Sequence, residues 1–328
     1  MLVARSIDEF RNLTPPDAVV AATIGNFDGV HRGHRELIRV TREKAAARGM
    51  ALGRKVPAVL VTFDPHPVHV VRGIARPDLL TPLPRKLELL ERAGLDAVLV
   101  LPFTREMAET PAELFVREIL VETLHATDLV VGFNFALGKG RAGNYTALRA
   151  LGESLGFSVT QVQPVVVGKE TVSSSLIREH IRSGNVENVV PLLCRMHSVD
   201  GEIIHGQARG RTLGFPTANI DYGNVLLPPL GAYATWLQIL ADGPKAPPLQ
   251  SMTSVGTNPT FGGGVITLET NVLDFSGDLY GKTVRLHFAS RLRAEITFKS
   301  VDDLVARLRG DAEAARAALR RTPGEPLH

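Results

Sequence analysis

Apolar residues come in two textures along this chain, and one sheet cannot accommodate both. In the first half, the runs at 18–24, 58–63, 97–101, 128–131 and 159–167 are apolar at nearly consecutive positions. Successive side chains on a strand point to opposite faces, so such runs suit strands covered on both sides, as in a parallel sheet flanked by helices. Helical stretches at 34–48, 83–93 and 112–120 separate them. In the second half, Val284-Arg285-Leu286-His287-Phe288 and Glu295-Ile296-Thr297-Phe298 alternate instead, between Gly, Pro and Asp turns. That is an antiparallel pattern. A last helix is expected from Ser300, with Asp303 three residues on and Val301, Leu304, Val305 and Leu308 on one face, plugging an open end of the β domain. No repeat relates the halves, and the texture changes near 185–200. Two modules are therefore expected, an α/β domain over residues 1–186 and a β domain over 187–328.

With 328 residues, 44% hydrophobic and 22% charged, the chain can bury two cores. A net charge of +3 without a lysine or arginine block argues against a nucleic-acid partner, while anionic small molecules fit the mild basic excess. Cys194 is the single cysteine, which excludes an internal disulfide, and it reads as a buried apolar residue. The first ten residues lack an apolar signal core, and no run approaches the ~18 apolar residues of a membrane span. A cytoplasmic protein with no membrane partner is expected.

Two segments are built for phosphate. Gly25-Asn26-Phe27-Asp28-Gly29-Val30-His31-Arg32-Gly33-His34 follows an apolar strand and enters a helix, where backbone N–H groups and the positive end of the helix dipole meet an anion. His31 and His34 share one side of the first turn and, lacking a third ligand in sequence, suit phosphate oxygens better than a metal; two solvent-facing histidines are the alternative. In the second half, residues 206–214 combine Gly206, Gly210 and Gly214 with Arg209 and Arg211, a loop that lets backbone approach a polyphosphate closely. Thr217 and Asn219, two apart just past Pro216, share a face if extended and offer the oxygen that Mg²⁺ prefers. Glu269 and Asn271 likewise share a face of one strand, and on pattern alone Glu269 is either a base or an exposed strand residue.

Other signals are weaker. Gly138-Lys139-Gly140-Arg141-Ala142-Gly143 matches the dinucleotide fingerprint and would make the first half a nicotinamide-dependent dehydrogenase domain, but the acidic residue expected about 20 positions on is absent. Gly132 stands one residue too far from Gly138-Lys139 for a P-loop, and Gly140 occupies the Ser/Thr position. Ser173, Ser174 and Ser175 open a helix whose first turn is expected to hold Arg178, at an unfavourable dipole end unless a phosphate pairs with it; a surface arginine is the alternative.

Together these words make the chain resemble, over nearly its whole length, the bacterial bifunctional riboflavin kinase/FMN adenylyltransferases, also called FAD synthetases. The matching stretches are 25–34, Thr62-Phe63-Asp64-Pro65-His66-Pro67, 132–143, 173–178, 210–219, Pro259-Thr260-Phe261, 269–275 and 277–281. The resemblance implies a nucleotidyltransferase-like, Rossmann-like α/β domain followed by an antiparallel β-barrel kinase domain with a terminal helix. It also implies that ATP phosphorylates riboflavin to FMN and that a second ATP adenylylates FMN to FAD with release of pyrophosphate. Mg²⁺ would be the metal, ATP and flavins the partners, and the protein a monomer or a transient homo-oligomer.

By the same resemblance, His31 and His34 would hold ATP phosphates within a pocket that includes Gly25, Asn26, Phe27 and Asp28. Arg178, with Ser173, Ser174 and Ser175, would bind the departing pyrophosphate, and Asn134 would contact flavin or nucleotide. Phe63 is either a stacking surface for the flavin or a core residue. In the kinase domain, Thr217 and Asn219 would hold Mg²⁺ and Glu269 would be the general base. Ser175 and Asn271 replace a usual threonine and a frequent histidine, and residues 133–137 depart from the family's wording. A nucleotide- or RNA-binding module would need a basic, aromatic-studded face that the sequence does not show.

Overall fold

The computed structural model describes residues 1–74, 78–205, 214–243, 245–258 and 265–322, which fall in two compact units, Met1–Ser173 and Ser174–His328. In the first unit the strands are β1 (Leu2–Ala4), β2 (Val20–Ile24), β3 (Ala58–Asp64), β4 (Ala97–Pro102), β5 (Ala126–Gly132), β6 (Ala136–Leu137), β7 (Gly143–Asn144), β8 (Ser158–Val162), β9 (Val166–Val167) and β10 (Glu170–Thr171). Six of them form one parallel sheet in the order β1-β4-β3-β2-β5-β8. The chain winds from β2 through β3 to β4 on one side, then returns to lay β5 on the other side of β2. Open α/β sheets leave their ligand crevice at this reversal, outside the carboxyl ends of the strands.

Both faces of the sheet are covered, which is why its strands are continuously apolar. The helices are α1 (Ile7–Leu13), α2 (Arg32–Leu52), α3 (Pro67–Arg72), α4 (Leu83–Arg92), α5 (Arg105–Glu109), α6 (Ala112–Phe115) and α7 (Tyr145–Leu155). Ile38 and Ala45 of α2 and Leu89 and Leu90 of α4 pack on Ala21, Leu60 and Val98. Phe10 of α1, Phe115 of α6 and Leu148 of α7 pack on Ala22, Val59 and Leu99 from the other face.

Three expectations change here. The run at 159–167 is not one strand: Pro164 cannot donate to a ladder, and past it β9 pairs with β10 in a separate hairpin. The helix expected at 112–120 is α6 continued by a wider π-helical turn, Val116–Thr123. The fingerprint at 138–143 lies in no strand-to-helix turn, because β6 and β7 pair antiparallel across a 3₁₀ turn, Lys139–Arg141, with Gly138 and Gly140 at φ 73° and 63°.

The second unit opens with α8 (Ser174–Arg182) and α9 (Val190–Leu193). Its strands are β11 (His197–Ile204), β12 (Ala218–Asp221), β13 (Gly231–Ile239), β14 (Leu249–Asn258), β15 (Val265–Val272) and β16 (Thr283–Ala294), closed into an antiparallel barrel in the order β11-β12-β15-β14-β13-β16. Val199, Tyr233, Leu237, Val255, Leu268, Leu286 and Phe288 fill it, together with Val186 from the segment between α8 and α9. Residues 295–298 are not a strand, since β16 ends at Ala294.

The last helix, α10 (Val301–Leu319), starts where expected, with the Ser300 hydroxyl accepting the Asp303 N–H at 3.1 Å. It plugs no barrel end, however. Its buried face is Asp311, Ala312, Ala315 and Leu319, lying against Ala234, Met252 and Ala289, while Val301 stays exposed. Small alanines let the helix axis approach the wall of the barrel, which the larger residues of its first turns cannot do.

Candidate active sites

The first unit gathers its motif residues at the strand-order reversal. Gly25 still pairs with the sheet, its N–H donating to the Val61 carbonyl at 3.0 Å, and a Cβ there would meet the Phe27 ring at 3.1 Å. The chain then turns through left-handed backbone at Phe27 (φ 50°), Gly29 (φ 92°) and Val30 (φ 41°). Phe27 and Val30 are buried. Asp28 is turned inward as well, at 3% exposure, accepting the N–H groups of Leu80 at 3.0 Å and Thr81 at 2.9 Å. The Thr81 hydroxyl also accepts the Gly29 N–H at 2.9 Å.

His31 is the N-cap of α2, its Nδ1 accepting the His34 N–H at 3.2 Å. In the neutral ring the proton then sits on Nε2, leaving that nitrogen a donor. The His31 and His34 rings stack at 3.6 Å and the Phe27 ring stacks on His34 at 4.5 Å, so three aromatic planes fix both imidazoles at the helix terminus. Gly33 keeps this possible, since a Cβ there would meet the His31 ring at 3.1 Å.

A cavity of about 670 Å³ opens beside this turn, lined among others by Gly25, Asn26, Phe63, Phe103, Phe115 and Asn134. Phe63 meets Phe103 edge-on at 5.5 Å and Phe115 at 6.4 Å, an aromatic wall at the ends of β3 and β4. The β6–β7 turn adds Gly138, Gly140 and Arg141, and the Arg141 guanidinium donates to the Asn134 carbonyl at 3.0 Å. In the second unit, Ser174 and Ser175 begin α8 directly after Ser173, and the half-buried Arg178 is its fifth residue. It thus falls in the second turn, one turn later than expected.

Two cavities flank β12 and β15 in the barrel unit. One, of about 280 Å³, is lined by Thr217, Glu269, Asn271 and Phe298, with Leu304 and Leu308 of α10. The other, of about 330 Å³, is lined by Thr217, Thr270, Phe275, Asp278, Leu279 and Tyr280, and Tyr280 stacks on His205 at 3.8 Å. Thr217 borders both. Asn219 lies directly across from Glu269 in the β12–β15 register, and the Asn271 amide donates to the Pro216 carbonyl at 2.7 Å. Gly214 takes a left-handed turn, φ 78°, before this strand. Gly206, Arg209, Gly210 and Arg211 lie outside the described residues.

A model of the FAD synthetase family matches residues 14–176, and one of the riboflavin kinase family matches residues 193–319. The bifunctional riboflavin kinase/FMN adenylyltransferase of Escherichia coli K12 is 35% identical over 92% of this chain and 93% of its own. This chain belongs to the bifunctional riboflavin kinase/FMN adenylyltransferase family. The Bacillus subtilis member is 30% identical over 89% of this chain and 90% of its own. A crystal structure described as a macrolide-efflux protein from Streptococcus pneumoniae superposes with a TM-score of 0.81 at 30% identity, covering 96% of this chain and 98% of that one. Among the described residues, no helix is long and apolar enough to cross a membrane.

Some residues beside these cavities carried no motif. Arg293 and Asp311 line the smaller barrel cavity as an ion pair at 2.8 Å, with Arg307 on the same carboxylate at 3.2 Å. In the first unit Lys86, only 6% exposed, donates to the Asn26 carbonyl at 3.1 Å and to the Thr62 hydroxyl at 3.2 Å. Its signal was a lysine one turn before Leu89 and Leu90 on the buried face of α4.

Proposed function

We propose that the two units run consecutive reactions, riboflavin phosphorylation in the barrel and FMN adenylylation at the parallel sheet. The observation that carries this reading is Thr217 on the wall common to two cavities, one bearing Glu269 and the other lined by Phe275, Asp278 and Tyr280. A hydroxyl acceptor on one side and ATP on the other would meet at that residue. Glu269 takes the proton from the ribityl hydroxyl as its oxygen bonds to the γ-phosphorus, and the bond to ADP breaks.

Thr217 and Asn219 present neutral oxygens, and among the described residues no group of three His, Cys, Asp or Glu side chains is placed to hold a metal. That donor set suits a Mg²⁺ ion held mainly by the triphosphate itself. When bound, the ion neutralises phosphate charge.

In the first unit, the Phe63, Phe103 and Phe115 wall takes the flavin ring, with Asn134 at its edge. An FMN phosphate oxygen attacks the α-phosphorus of ATP and pyrophosphate leaves, so positioning and charge stabilisation suffice. His31 Nε2 and His34 at the α2 terminus supply donors to the phosphates, and Arg178 receives the pyrophosphate. The buried side chains of Phe27 and Asp28 shape the turn and leave the ligand contacts to Gly25, Asn26 and the backbone of the turn.

Purified protein given riboflavin, ATP and Mg²⁺ should form FMN before FAD, and chelation should stop both steps, as separation of flavins over time would show. Riboflavin left unconverted while a nicotinamide cofactor is consumed would overturn the reading.

For the domain limits we propose 1–186 and 187–328. Residues 1–186 should make FAD from FMN. Because Val186 packs in the barrel and the Arg291 N–H donates to Glu187 at 3.3 Å, a second cut, between 173 and 174, should give the more stable kinase fragment. Arg178 goes with the kinase fragment in that cut, so residues 1–173 should bind FMN yet adenylylate it poorly. Loss of both activities in every soluble fragment would refute independent modules.

A further inference from the structure

The turn at 25–30 holds two non-glycine residues, Phe27 and Val30, in left-handed backbone. Such a turn persists only where its surroundings over-determine it. Two tethers do so here. One is the Asp28 carboxylate on the N–H groups of Leu80 and Thr81. The other is Lys86, which reaches from α4 to the Asn26 carbonyl, where the Thr62 hydroxyl also donates at 3.3 Å.

Asp28 fixes side-chain and backbone positions, whereas Lys86 fixes the orientation of one peptide plane. Asn26 C=O and Phe27 N–H belong to the same trans peptide, so they point in opposite directions. A carbonyl drawn inward by two donors therefore turns the Phe27 N–H away from the buried amine. Asn26 itself lines the large cavity. Burial pushes the Lys86 amine below the ordinary lysine range, opposed by the negative charges of Asp28 and Asp64.

We infer that Lys86 is a positioning residue for adenylyl transfer, orienting the Asn26–Phe27 peptide so that its N–H faces the nucleotide phosphates. This rests on the reading of residues 25–34 as the ATP-phosphate site.

The test uses the full chain, in which riboflavin kinase activity reports that the protein is intact. Lys86→Met keeps the length of the apolar stem and removes the donors; it should raise KM for ATP in FMN adenylylation about 10- to 100-fold. KM for FMN and the kinase rate should stay near wild type. Lys86→Arg should recover part of the lost ATP affinity. Thr62→Val, which removes the second donor to the same carbonyl, should shift KM for ATP in the same direction, and the double variant should be less than additive. If Lys86→Met misfolds the first unit, Thr62→Val and Lys86→Arg carry the test alone.

An unchanged KM for ATP overturns the inference. So does a proportional loss in kcat and in both KM values that tracks a lowered melting temperature, which would make Lys86 a core support. His34→Ala separates the two claims. If it abolishes FAD formation while Lys86→Met has no effect, only the role of Lys86 falls. If FAD formation survives in His34→Ala, the phosphate-site reading itself falls.

Discussion

Glu269→Gln should lower riboflavin phosphorylation by about 10²- to 10⁴-fold, the usual worth of a positioned general base. The substitution is nearly isosteric, and the residue lies in β15 between the buried Leu268 and Thr270, across from Asn219. An amide there fills the same space and keeps one acceptor oxygen, so the barrel and the riboflavin KM should hardly change. What it cannot do is take a proton from the ribityl hydroxyl. Supplied FMN should still become FAD at the wild-type rate, because that chemistry is assigned to the other unit. Steady-state rates with separated flavins measure both at once. A kinase rate equal to wild type would make Glu269 a structural strand residue.

The sheet was legible because burial on two faces leaves continuous apolar runs, whereas the alternation at 284–288 marks no solvent face: Arg285 and His287 are buried too, Arg285 paired with Asp200 at 2.7 Å. Val59, Leu60 and Val61 are all fully buried, and no alternating strand has three such neighbours with a solvent face. β1 was not legible, since three residues carry no period, and only its parallel pairing with β4 makes Leu2–Ala4 a strand. The packing of α10 was misjudged for a related reason. Its buried face is made of Ala312, Ala315 and Asp311, residues with little hydrophobic signal, and the apolar face read from Val301 onward belongs largely to a cavity wall.

Within the sites, residue types were easier to read than their neighbours. The glycine-rich turn running into a helix with two histidines could be read locally, and the structure brings His31 and His34 together at the α2 terminus. By contrast, Asn219 meeting Glu269 depends on a register between strands 50 residues apart in sequence, which no local spacing encodes. Buried charges were the hardest. Lys86 and Asp28 look like surface residues by type, and each is inside only because backbone groups of the strained turn, or of the segment beside it, satisfy its hydrogen bonds.

His34→Ala should cut FAD formation by on the order of 10²- to 10³-fold, the typical loss for one preorganised charge-stabilising donor, and leave riboflavin phosphorylation intact. The cap of α2 survives this change, because the group that donates to His31 Nδ1 is the backbone N–H of residue 34 and not its ring. The imidazole is lost, and with it the stacking on His31 and Phe27. The helix terminus, with its own N–H groups and dipole, remains, so binding of ATP should weaken less than turnover. Arg178→Ala should show the same selectivity from a different element, since it withdraws a positive charge from the departing pyrophosphate while α8 keeps its buried Ile177 and Ile181. If both groups act on the charge of the same leaving group, the two losses should combine to less than their product. Equal loss of both activities in a well-folded variant would tie His34 or Arg178 to the fold and not to the transition state.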